Sequence, residues 1–430
     1  MRILLLTSQF PPEMTGNAPL LGELCQDLKA MGHEVKVVAG PIYHSIAAPP
    51  ARYRRSAYVR ETIADVPVLR INGLPLKNMW FRELFALVLF PLAAVFAGLL
   101  SGPCDVIVCP SPPLWLGVSA WIVSMGKRCP FVYNVRDVWP AAPIKLGLVK
   151  SRIFRAFLEG LERFVYRRSA HIIVLAPFME RHIASCGIPA AKISRVPDWV
   201  DTRQIHPLPR MPNPIREEFG LEDRTVALYS GNMGHSCGLE DILQAARILA
   251  DRRDLVFLLA GEGTQRERFI REAKQMKLPN VIFAPLQPRE RLPQVLAAAD
   301  IALVPLRSGL SSVSLPSKIY TLMASGRPMV AALDADGDAW KLIKEANAGL
   351  CARPGDAEAL ASAIETLRRD PGVAQELGKS GRRYAELHCD RRLCTAAFAQ
   401  ALDAIVARAR RSGVSRIGSR NAANGGRGWS

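Results

Sequence analysis

Two glycine-rich turns follow two successive apolar segments in the second half of this 430-residue chain. The first turn contains Gly231, Asn232 and Gly234, and the second contains Glu262 between two further glycines. Glycine lets the backbone turn sharply and approach a ligand, and the amides that open a following helix attract phosphate. The spacing differs from the Gly-x-Gly-x-x-Gly of hydride-transfer enzymes. Two such turns on one sheet predict a nucleotide cleft, and an ordinary tight turn is the alternative.

A lysine near the start of a later helix offers a positive charge to a diphosphate. Lys318 directly follows Ser317, and Thr321 lies about one helical turn further on. The backbone amides of a helix start and a full ammonium charge together suit a diphosphate. An ordinary capped helix that carries a surface lysine is the alternative.

The first half of the chain carries two further polar groups after predicted strands. Gly16 and Asn17 follow the first strand, and their amides are candidates for contact with a phosphate or a sugar. Arg136 and Asp137 follow the fifth strand, and Trp139 is a candidate for stacking on a sugar ring. Open parallel sheets bind ligands beyond the carboxyl ends of their strands. Both groups therefore mark a candidate site, with a structural turn as the alternative at Gly16.

Apolar strands alternate with amphipathic helices through both halves, which predicts an α/β protein with parallel sheets covered on both faces. The length fits two domains of roughly 200 residues each. We predict a first domain over 1–198, a linker over 199–214 and a second domain over 215–382. A final helix over 383–411 follows, and its return to the first domain is one option. The residues 412–430 are predicted to form a disordered basic tail. The predicted strands are 2–7, 34–39, 68–71, 105–109, 131–134, 171–175, 225–229, 255–260, 281–284, 300–304 and 328–331.

A net charge of +17 points to an acidic partner, and the sequence carries no nucleic-acid-binding module. An anionic membrane surface is the better candidate, since each basic residue near it contributes about 1 kcal/mol. The apolar run 85–100 is too short to span a bilayer, so it is either a buried helix or one that enters a single leaflet. The arginines that we assign to the membrane-facing surface are Arg52, Arg54, Arg55, Arg60, Arg70 and Arg82.

The nine cysteines are scattered, and we find none at zinc-ligand spacing from a histidine, so no metal site is predicted. They are interpreted as buried apolar residues of a reducing compartment. The apolar part of the N-terminus is too short for a signal peptide. The prediction is a cytoplasmic protein that lies peripherally on the inner face of the cytoplasmic membrane.

Several short motifs occur together in this chain and carry a family resemblance. They are Gly-Asn-x-Gly, the Gly-Glu-Gly turn, Pro-Ser-Lys-x-Tyr, Arg-Asp-x-Trp-Pro and Pro-Asp-Trp-Val-Asp. Over 1–410 the chain resembles glycosyltransferase family 4, and most of all the bacterial transferases of capsule, O-antigen and colanic-acid synthesis that handle fucose-type or N-acetylamino sugars. The resemblance implies the GT-B fold, with two Rossmann-like domains facing an inter-domain cleft. It also implies a retaining enzyme that uses a UDP- or GDP-sugar and needs no bound metal.

The site residues combine this resemblance with the chemistry of the side chains. Lys318 and nearby amides would stabilise the departing diphosphate, and Asp137 would orient or deprotonate an acceptor hydroxyl. By resemblance, Pro285 and Leu286 line the base pocket, and Glu262 faces the donor sugar. The predicted catalytic residues are Asp137, Arg136 and Lys318, and the predicted donor-binding residues are Gly16, Asn17, Gly231, Asn232, Gly234, Glu262, Pro285, Leu286, Ser317 and Thr321.

The chain departs from the family pattern at two glutamates. Val313 and Thr321 occupy the matching positions, where family members contact the donor sugar and the ribose. Arg136 stands where relatives often carry a histidine, and a guanidinium cannot act as a base. Since the basic residue that often follows Gly234 is absent, Lys318 is the expected replacement.

The predicted acceptor is a polyprenyl-diphosphate-linked saccharide or another saccharide. Two other functions are compatible with the sequence. One is a nucleotide-sugar 2-epimerase on the same fold, although the acidic residues and histidines expected of it are scarce here. The other is a non-catalytic glycosyltransferase-like subunit, which the missing glutamates favour and the retained Asp137 and Lys318 oppose.

Overall fold

The computed structural model describes residues 1–13, 16–42, 52–53, 56–72, 85–145, 147, 149–311 and 313–411. The chain divides into two compact units. The first is Met1–Pro197 together with the chain from Cys394 onward, and the second is Asp198–Leu393. The segment 199–214, which we predicted as a linker, therefore belongs to the second unit. The predicted tail over 412–430 lies outside the described residues.

The first unit is built on a mostly parallel sheet. Its strands are β1 (Arg2–Thr7), β2 (Glu34–Ala39), β3 (Tyr58–Ile63), β4 (Val66–Ile71), β5 (Val106–Ser111), β6 (Phe131–Val135), β7 (His171–Val174) and β8 (Ile193–Arg195), in the order β3-β4-β2-β1-β5-β6-β7-β8. The β3–β4 pair is antiparallel, so the expectation of purely parallel sheets was wrong there. β3 is not among the predicted strands because it is polar and exposes every second residue. β8 is not among them because it has only three residues.

The predicted apolar run 85–100 forms a half-buried helix. The helices of the first unit are α1 (Ala18–Ala30), α2 (Phe90–Leu100), α3 (Leu116–Lys127), α4 (Ala141–Lys145), α5 (Arg152–Arg168) and α6 (Pro177–Ser185), and a π-helical turn, Phe85–Leu89, precedes α2. One face of α2 packs on α3, where the Ser119 hydroxyl donates to the Pro91 carbonyl at 2.9 Å. The opposite face exposes Leu92, Phe96 and Leu100 by 55%, 68% and 76%. α2 is therefore buried on one face only, and the face that it exposes is apolar.

The second unit contains a parallel sheet whose two faces are both buried. Its strands are β9 (Thr225–Ser230), β10 (Leu255–Ala260), β11 (Val281–Ala284), β12 (Ile301–Pro305), β13 (Met329–Ala332) and β14 (Gly349–Ala352), in the order β11-β10-β9-β12-β13-β14. Leu228 and Tyr229, adjacent in β9, belong to separate core clusters because neighbouring side chains point to opposite faces. The strand order reverses between β9 and β12, which is where open α/β sheets bind ligands.

The last predicted helix, 383–411, is in fact the end of one helix and the whole of another. The helices of the second unit are α7 (Pro214–Phe219), α8 (Leu239–Ile248), α9 (Arg266–Gln275), α10 (Leu292–Ala297), α11 (Lys318–Ala324), α12 (Asp338–Glu345), α13 (Ala357–Arg369) and α14 (Pro371–His388), and α15 (Arg391–Arg411) continues into the first unit. Between α14 and α15, the Val200 amide donates to the Cys389 carbonyl and the Arg391 amide donates to the Val200 carbonyl, each at 2.9 Å. This bridge holds the two ends of the second unit side by side. In the described part of the chain, no helix combines the length and the apolarity that crossing a membrane would need.

A buried arginine joins α7 to the start of β12. The Arg216 side chain is fully buried, and its Nη2 donates to Asp300 Oδ2 at 2.6 Å. Its Nη1 donates to the carbonyls of Leu221 and Arg224 at 3.0 and 2.9 Å. Arg210 reaches the same Asp300 carboxylate at 3.4 Å, but its side chain is 44% exposed.

We expect Arg216→Met to lower the free energy of unfolding of the second unit by about 3 kcal/mol. The substitution leaves the Asp300 carboxylate without its buried cationic partner and removes one donor from each of two carbonyls. The matched control is Arg210→Met, which removes an exposed ion pair from the same carboxylate and should cost less than about 1 kcal/mol. Urea-induced unfolding followed by circular dichroism measures both effects. Equal losses in the two variants would contradict the role given to Arg216.

Candidate functional site

The two glycine turns of the second unit pack backbone against backbone at the carboxyl ends of β9 and β10. The Met233 amide donates to the Glu262 carbonyl at 2.8 Å. A methyl group at Gly261 would stand 1.9 Å from the Gly231 oxygen. A methyl group at Gly263 would stand 2.5 Å from the Met233 oxygen. Only glycine therefore allows the two turns to approach each other as they do.

The Asn232 side chain is exposed and lies between Gly234 and Gly263. A methyl group at Gly234 would stand 3.2 Å from Asn232 Nδ2, and one at Gly263 would stand 2.5 Å from Asn232 Oδ1. The Tyr229 hydroxyl donates to the Asn232 carbonyl at 2.6 Å. The first turn is thus fixed both by the glycines around it and by a buried tyrosine below it.

The Lys318 ammonium lies beside the first glycine turn. Its Nζ is 3.8 Å from the centroid of the Tyr229 ring, and a methyl group at Gly231 would stand 2.9 Å from the same atom. The aromatic ring attracts the cation. Desolvation by the surrounding protein nevertheless lowers the pKa of Lys318 to about 8. Among the described residues no carboxylate neutralises this ammonium, so an anionic group at the turn would find an uncompensated positive charge.

Residues that follow strands β10 and β11 lie at the same edge of the sheet. The Glu262 carboxylate follows β10, is 46% exposed, and lies 3.7 Å from Arg266 Nε. Pro285 is exposed and Leu286 is partly exposed, and both follow β11 beside the second turn. Arg266 is not among the predicted site residues. Its place in the first turn of a helix, four residues after Glu262, was the available signal.

The other predicted residues for binding the nucleotide-sugar donor lie at the start of α11. Ser317 is exposed and precedes the helix, and its side chain makes no capping hydrogen bond. Thr321 is partly exposed and lies three residues after Lys318, so the two share one face of the helix. Val313 is buried, with 3% of its surface exposed. Its side chain therefore packs into the protein and offers no polar contact.

Gly16 and Asn17 follow β1 in the first unit. Gly16 has a φ of +60°, which glycine adopts without strain. The Asn17 amide donates to Gln9 Oε1 at 3.1 Å. This amide is consequently occupied by a side chain, and a ligand would gain it only by displacing Gln9.

Arg136 and Asp137 follow β6, next to the end of β5. The Ser111 hydroxyl donates to the Asp137 carbonyl at 3.3 Å and accepts from the Arg136 amide at 3.3 Å. Arg136 is buried, with 4% of its surface exposed, whereas Asp137 is partly exposed. Trp139 packs edge-on against Trp115, with ring centroids 5.3 Å apart. The arrangement makes Asp137 the more accessible of the two charged groups.

The predicted site residues thus form one close cluster and one looser group. Lys318, Gly231 and Asn232 lie together in the second unit, where the strand order reverses. Gly16 and Asp137 follow strands β1 and β6 of the first unit, which flank β5. Both groups stand at carboxyl ends of parallel strands, as open α/β sheets require of a ligand site.

Comparison with known proteins shows the same two parts. The family profiles "Glycosyl transferase 4-like domain" and "Glycosyl transferases group 1" match residues 15–199 and 213–384. The putative colanic acid biosynthesis glycosyl transferase WcaI of Escherichia coli K12 is 26% identical to this chain, over 91% of this chain and 97% of its own length.

Solved structures share the fold. Sucrose-phosphate synthase from Thermosynechococcus elongatus has a TM-score of 0.75 at 19% identity, covering 95% of this chain and 100% of that one. Anabaena HepE, solved in complex with UDP, has a TM-score of 0.72 at 17% identity, covering 94% and 100%. The protein is therefore a glycosyltransferase of the GT-B fold, and the predicted fold class is confirmed. The chain belongs to glycosyltransferase family 4, as its motifs indicate.

We expect Lys318→Met to weaken the binding of UDP or GDP by about 2 kcal/mol, because it removes a charged donor while keeping the apolar stem. Wild-type affinity should fall as the pH rises through about 8, where the ammonium loses its proton. The affinity of the variant should not follow this pH dependence. Calorimetric titration below and above pH 8 measures both effects. An unchanged affinity in Lys318→Met would contradict the assignment.

The matched control for this experiment is Lys379→Met, at a lysine of the same unit that is 61% exposed.

The substitution at Lys318 should also leave the fold intact. Folding lowers the pKa of Lys318 from its ordinary value of 10.5, so its charged form is disfavoured in the native state. The Lys318 contribution to wild-type stability therefore increases with pH between about 8 and 10.5. Removing the ammonium takes away a desolvated charge, so thermal stability at neutral pH should not fall.

Proposed function

We propose that this glycosyltransferase transfers a hexose-type sugar, of the fucose or N-acetylamino kind, from a UDP- or GDP-sugar with retention of anomeric configuration. The proposed acceptor is a polyprenyl-diphosphate-linked or other saccharide of bacterial surface polysaccharide biosynthesis. The observation that carries the proposal is the Lys318 ammonium beside the first glycine turn. The similarity to WcaI supports the polysaccharide class, and the UDP complex of HepE supports a nucleotide donor.

In the proposed reaction, the departing diphosphate is the group that needs stabilisation. The bond between the anomeric carbon and the diphosphate oxygen breaks, and negative charge develops on that oxygen. Lys318 and the amides of the first turn are fixed beforehand, so they can stabilise this charge without rearrangement. We expect the ammonium to serve where other enzymes would use a metal ion. Leu286 would contact the base, Thr321 the ribose and Glu262 the sugar.

Asp137 is the proposed residue for the acceptor. Its carboxylate is partly exposed at a strand end and is suited to orienting or deprotonating a hydroxyl group. Arg136 beside it is buried, and a guanidinium cannot serve as a base. We assign Arg136 the role of supplying positive charge at this strand end.

We expect Asp137→Asn to reduce turnover at least a hundredfold with little change in donor affinity, because a general base typically contributes 10²–10⁴-fold. The measurement is release of UDP or GDP, with a panel of UDP- and GDP-sugars as donors and bacterial membranes as the source of acceptor. The matched control is Asp65→Asn, in the exposed turn between β3 and β4. Turnover within twofold of wild type would exclude a catalytic role for Asp137.

The same assay separates the other two functions. An epimerase would convert the donor without adding its sugar to any acceptor. A non-catalytic subunit would bind the nucleotide-sugar but release no UDP or GDP from it. The observation in favour of this function is that Val313, which the resemblance matches to a glutamate, is buried. Acceptor-dependent release together with transfer of labelled sugar is the result that the proposed transferase requires.

We also propose peripheral binding to the inner face of the cytoplasmic membrane. α2 exposes Leu92, Phe96 and Leu100, and α5 exposes Ile153 and Phe157 among several arginines. Apolar insertion and basic attraction together are what stable peripheral binding generally requires. Of the arginines that we assigned to this surface, Arg70 is fully buried and cannot contribute, and Arg54, Arg55 and Arg82 lie outside the described residues.

The protein should float with anionic liposomes at low salt and dissociate as the salt concentration rises, because salt screens surface charges. The combined substitution Phe96→Ser and Leu100→Ser should reduce flotation at least tenfold, since both side chains are largely exposed and their loss leaves the core intact. The matched control combines Leu387→Ser and Leu393→Ser, which are exposed in the second unit. Flotation that does not depend on the lipid charge or on the salt concentration would contradict this proposal.

A further inference from the structure

Three side chains that commonly bind metals converge between α5 and α6 of the first unit. Glu162 comes from α5, His182 from α6, and Cys186 directly follows the end of α6. One ligand atom from each of the three lies within 4.8 Å of the other two. His182 Nε2 is 2.8 Å from Glu162 Oε1 and 4.0 Å from Cys186 Sγ. None of these residues belongs to the glycosyltransferase site described above.

The local structure explains why the three side chains meet. Cys186 caps the end of α6 four residues after His182, and its amide donates to the His182 carbonyl at 3.2 Å, so the two residues are neighbours on one face. The Glu162 side chain is only 4% exposed, and the Tyr166 hydroxyl donates to its Oε1 at 3.0 Å. Such a hydrogen bond is the kind that orients a metal-binding carboxylate. This His-x-x-x-Cys spacing was not among the predicted motifs, and Glu162 lies on a different helix.

The geometry argues against a catalytic relay of cysteine, histidine and glutamate. In such a relay the imidazole faces the nucleophile with one nitrogen and the orienting carboxylate with the other. Here Nε2 of His182 faces both Cys186 and Glu162. One cation at the point that the three atoms share would satisfy all of them.

We propose that Glu162, His182 and Cys186 bind one Zn²⁺ ion. A thiolate, an imidazole and a carboxylate form a ligand set that suits zinc, whereas Mg²⁺ and Ca²⁺ prefer oxygen ligands alone. Tetrahedral zinc with ordinary bond lengths holds its ligand atoms roughly 3.3–3.6 Å apart. The nitrogen–oxygen pair would therefore open, and the nitrogen–sulfur pair would close, by about half an ångström each.

A cavity beside the three ligands leaves the fourth position of the metal open. The cavity has a volume of about 580 Å³ and is lined by all three ligands. Lys145, Arg163 and Arg167 also line it. Their positive charge opposes a bare cation and favours an anionic fourth ligand such as hydroxide or phosphate. The predicted site thus holds zinc with one exchangeable position, apart from the donor chemistry, for which we expect no metal.

Zinc binding to the full-length, metal-free and reduced protein tests the proposal. Competition with a chromogenic chelator should show one tightly bound equivalent, and Co²⁺ in its place should give a thiolate-to-cobalt charge-transfer band. Cys186→Ser and His182→Ala should each weaken zinc binding at least tenfold, and Cys186→Ser should remove the band. The matched control is Cys104→Ser, because Cys104 Sγ lies 3.4 Å from Cys129 Sγ and that pair is the competing thiol site.

Two results would overturn the proposal. One is the absence of zinc binding by the wild-type protein, and the other is loss of binding in Cys104→Ser with retention in Cys186→Ser. Glu162→Gln provides a second variant in case those at His182 or Cys186 do not fold, since it keeps the volume and an acceptor for Tyr166. Zinc should raise the melting temperature of the wild type but not that of this variant. These readouts are independent of transferase activity.

Discussion

The arrangement of the second unit depends on two backbone turns that meet without side chains between them. A single methyl group at Gly261 would overlap the carbonyl oxygen of Gly231, so the contact tolerates only hydrogen at that position. This approach brings the ends of β9 and β10 together and positions Tyr229 under the first turn. The tyrosine ring in turn supports the Lys318 ammonium. Backbone packing therefore precedes, and makes possible, the electrostatics of the site.

The Lys318 ammonium is a desolvated positive charge that an anionic ligand could neutralise. Burying a cation without a carboxylate partner costs free energy, and the lowered pKa of Lys318 is the sign of that cost. A bound phosphate would reverse the penalty by supplying the missing negative charge. Val313, which the family resemblance matches to a glutamate of other members, is buried and apolar and offers no carboxylate.

The sequence alone predicted the strands and turns whose signals are local. β1, β2, β10 and β11 match their predicted bounds because each is mainly apolar and is followed by serine, glycine or proline. It failed where tertiary contacts decide the structure. The polar strand β3 is stabilised by pairing with β4, and no local pattern in its own sequence predicts it.

The same distinction applies to the site. Lys318 and the glycine turns were predictable from residue type and spacing, and the structure brings them together. Their support by Tyr229 and the pairing of Glu262 with Arg266 were not, because a core tyrosine and a helical arginine carry no special pattern. The occupation of the Asn17 amide by Gln9 was equally invisible, since it depends on one side-chain conformation.

The bridge between Val200 and the residues around Asp390 has a consequence for how such a protein can change over evolution. The second unit is a continuous piece of chain, Asp198–Leu393, whose two ends are hydrogen-bonded neighbours. A segment with adjacent ends can be exchanged as a cassette without stretching the chain on either side of it. Recombination at these two points would replace the second unit as a whole while the first unit kept its own sheet. A different second unit could thus be acquired by the exchange of one continuous segment.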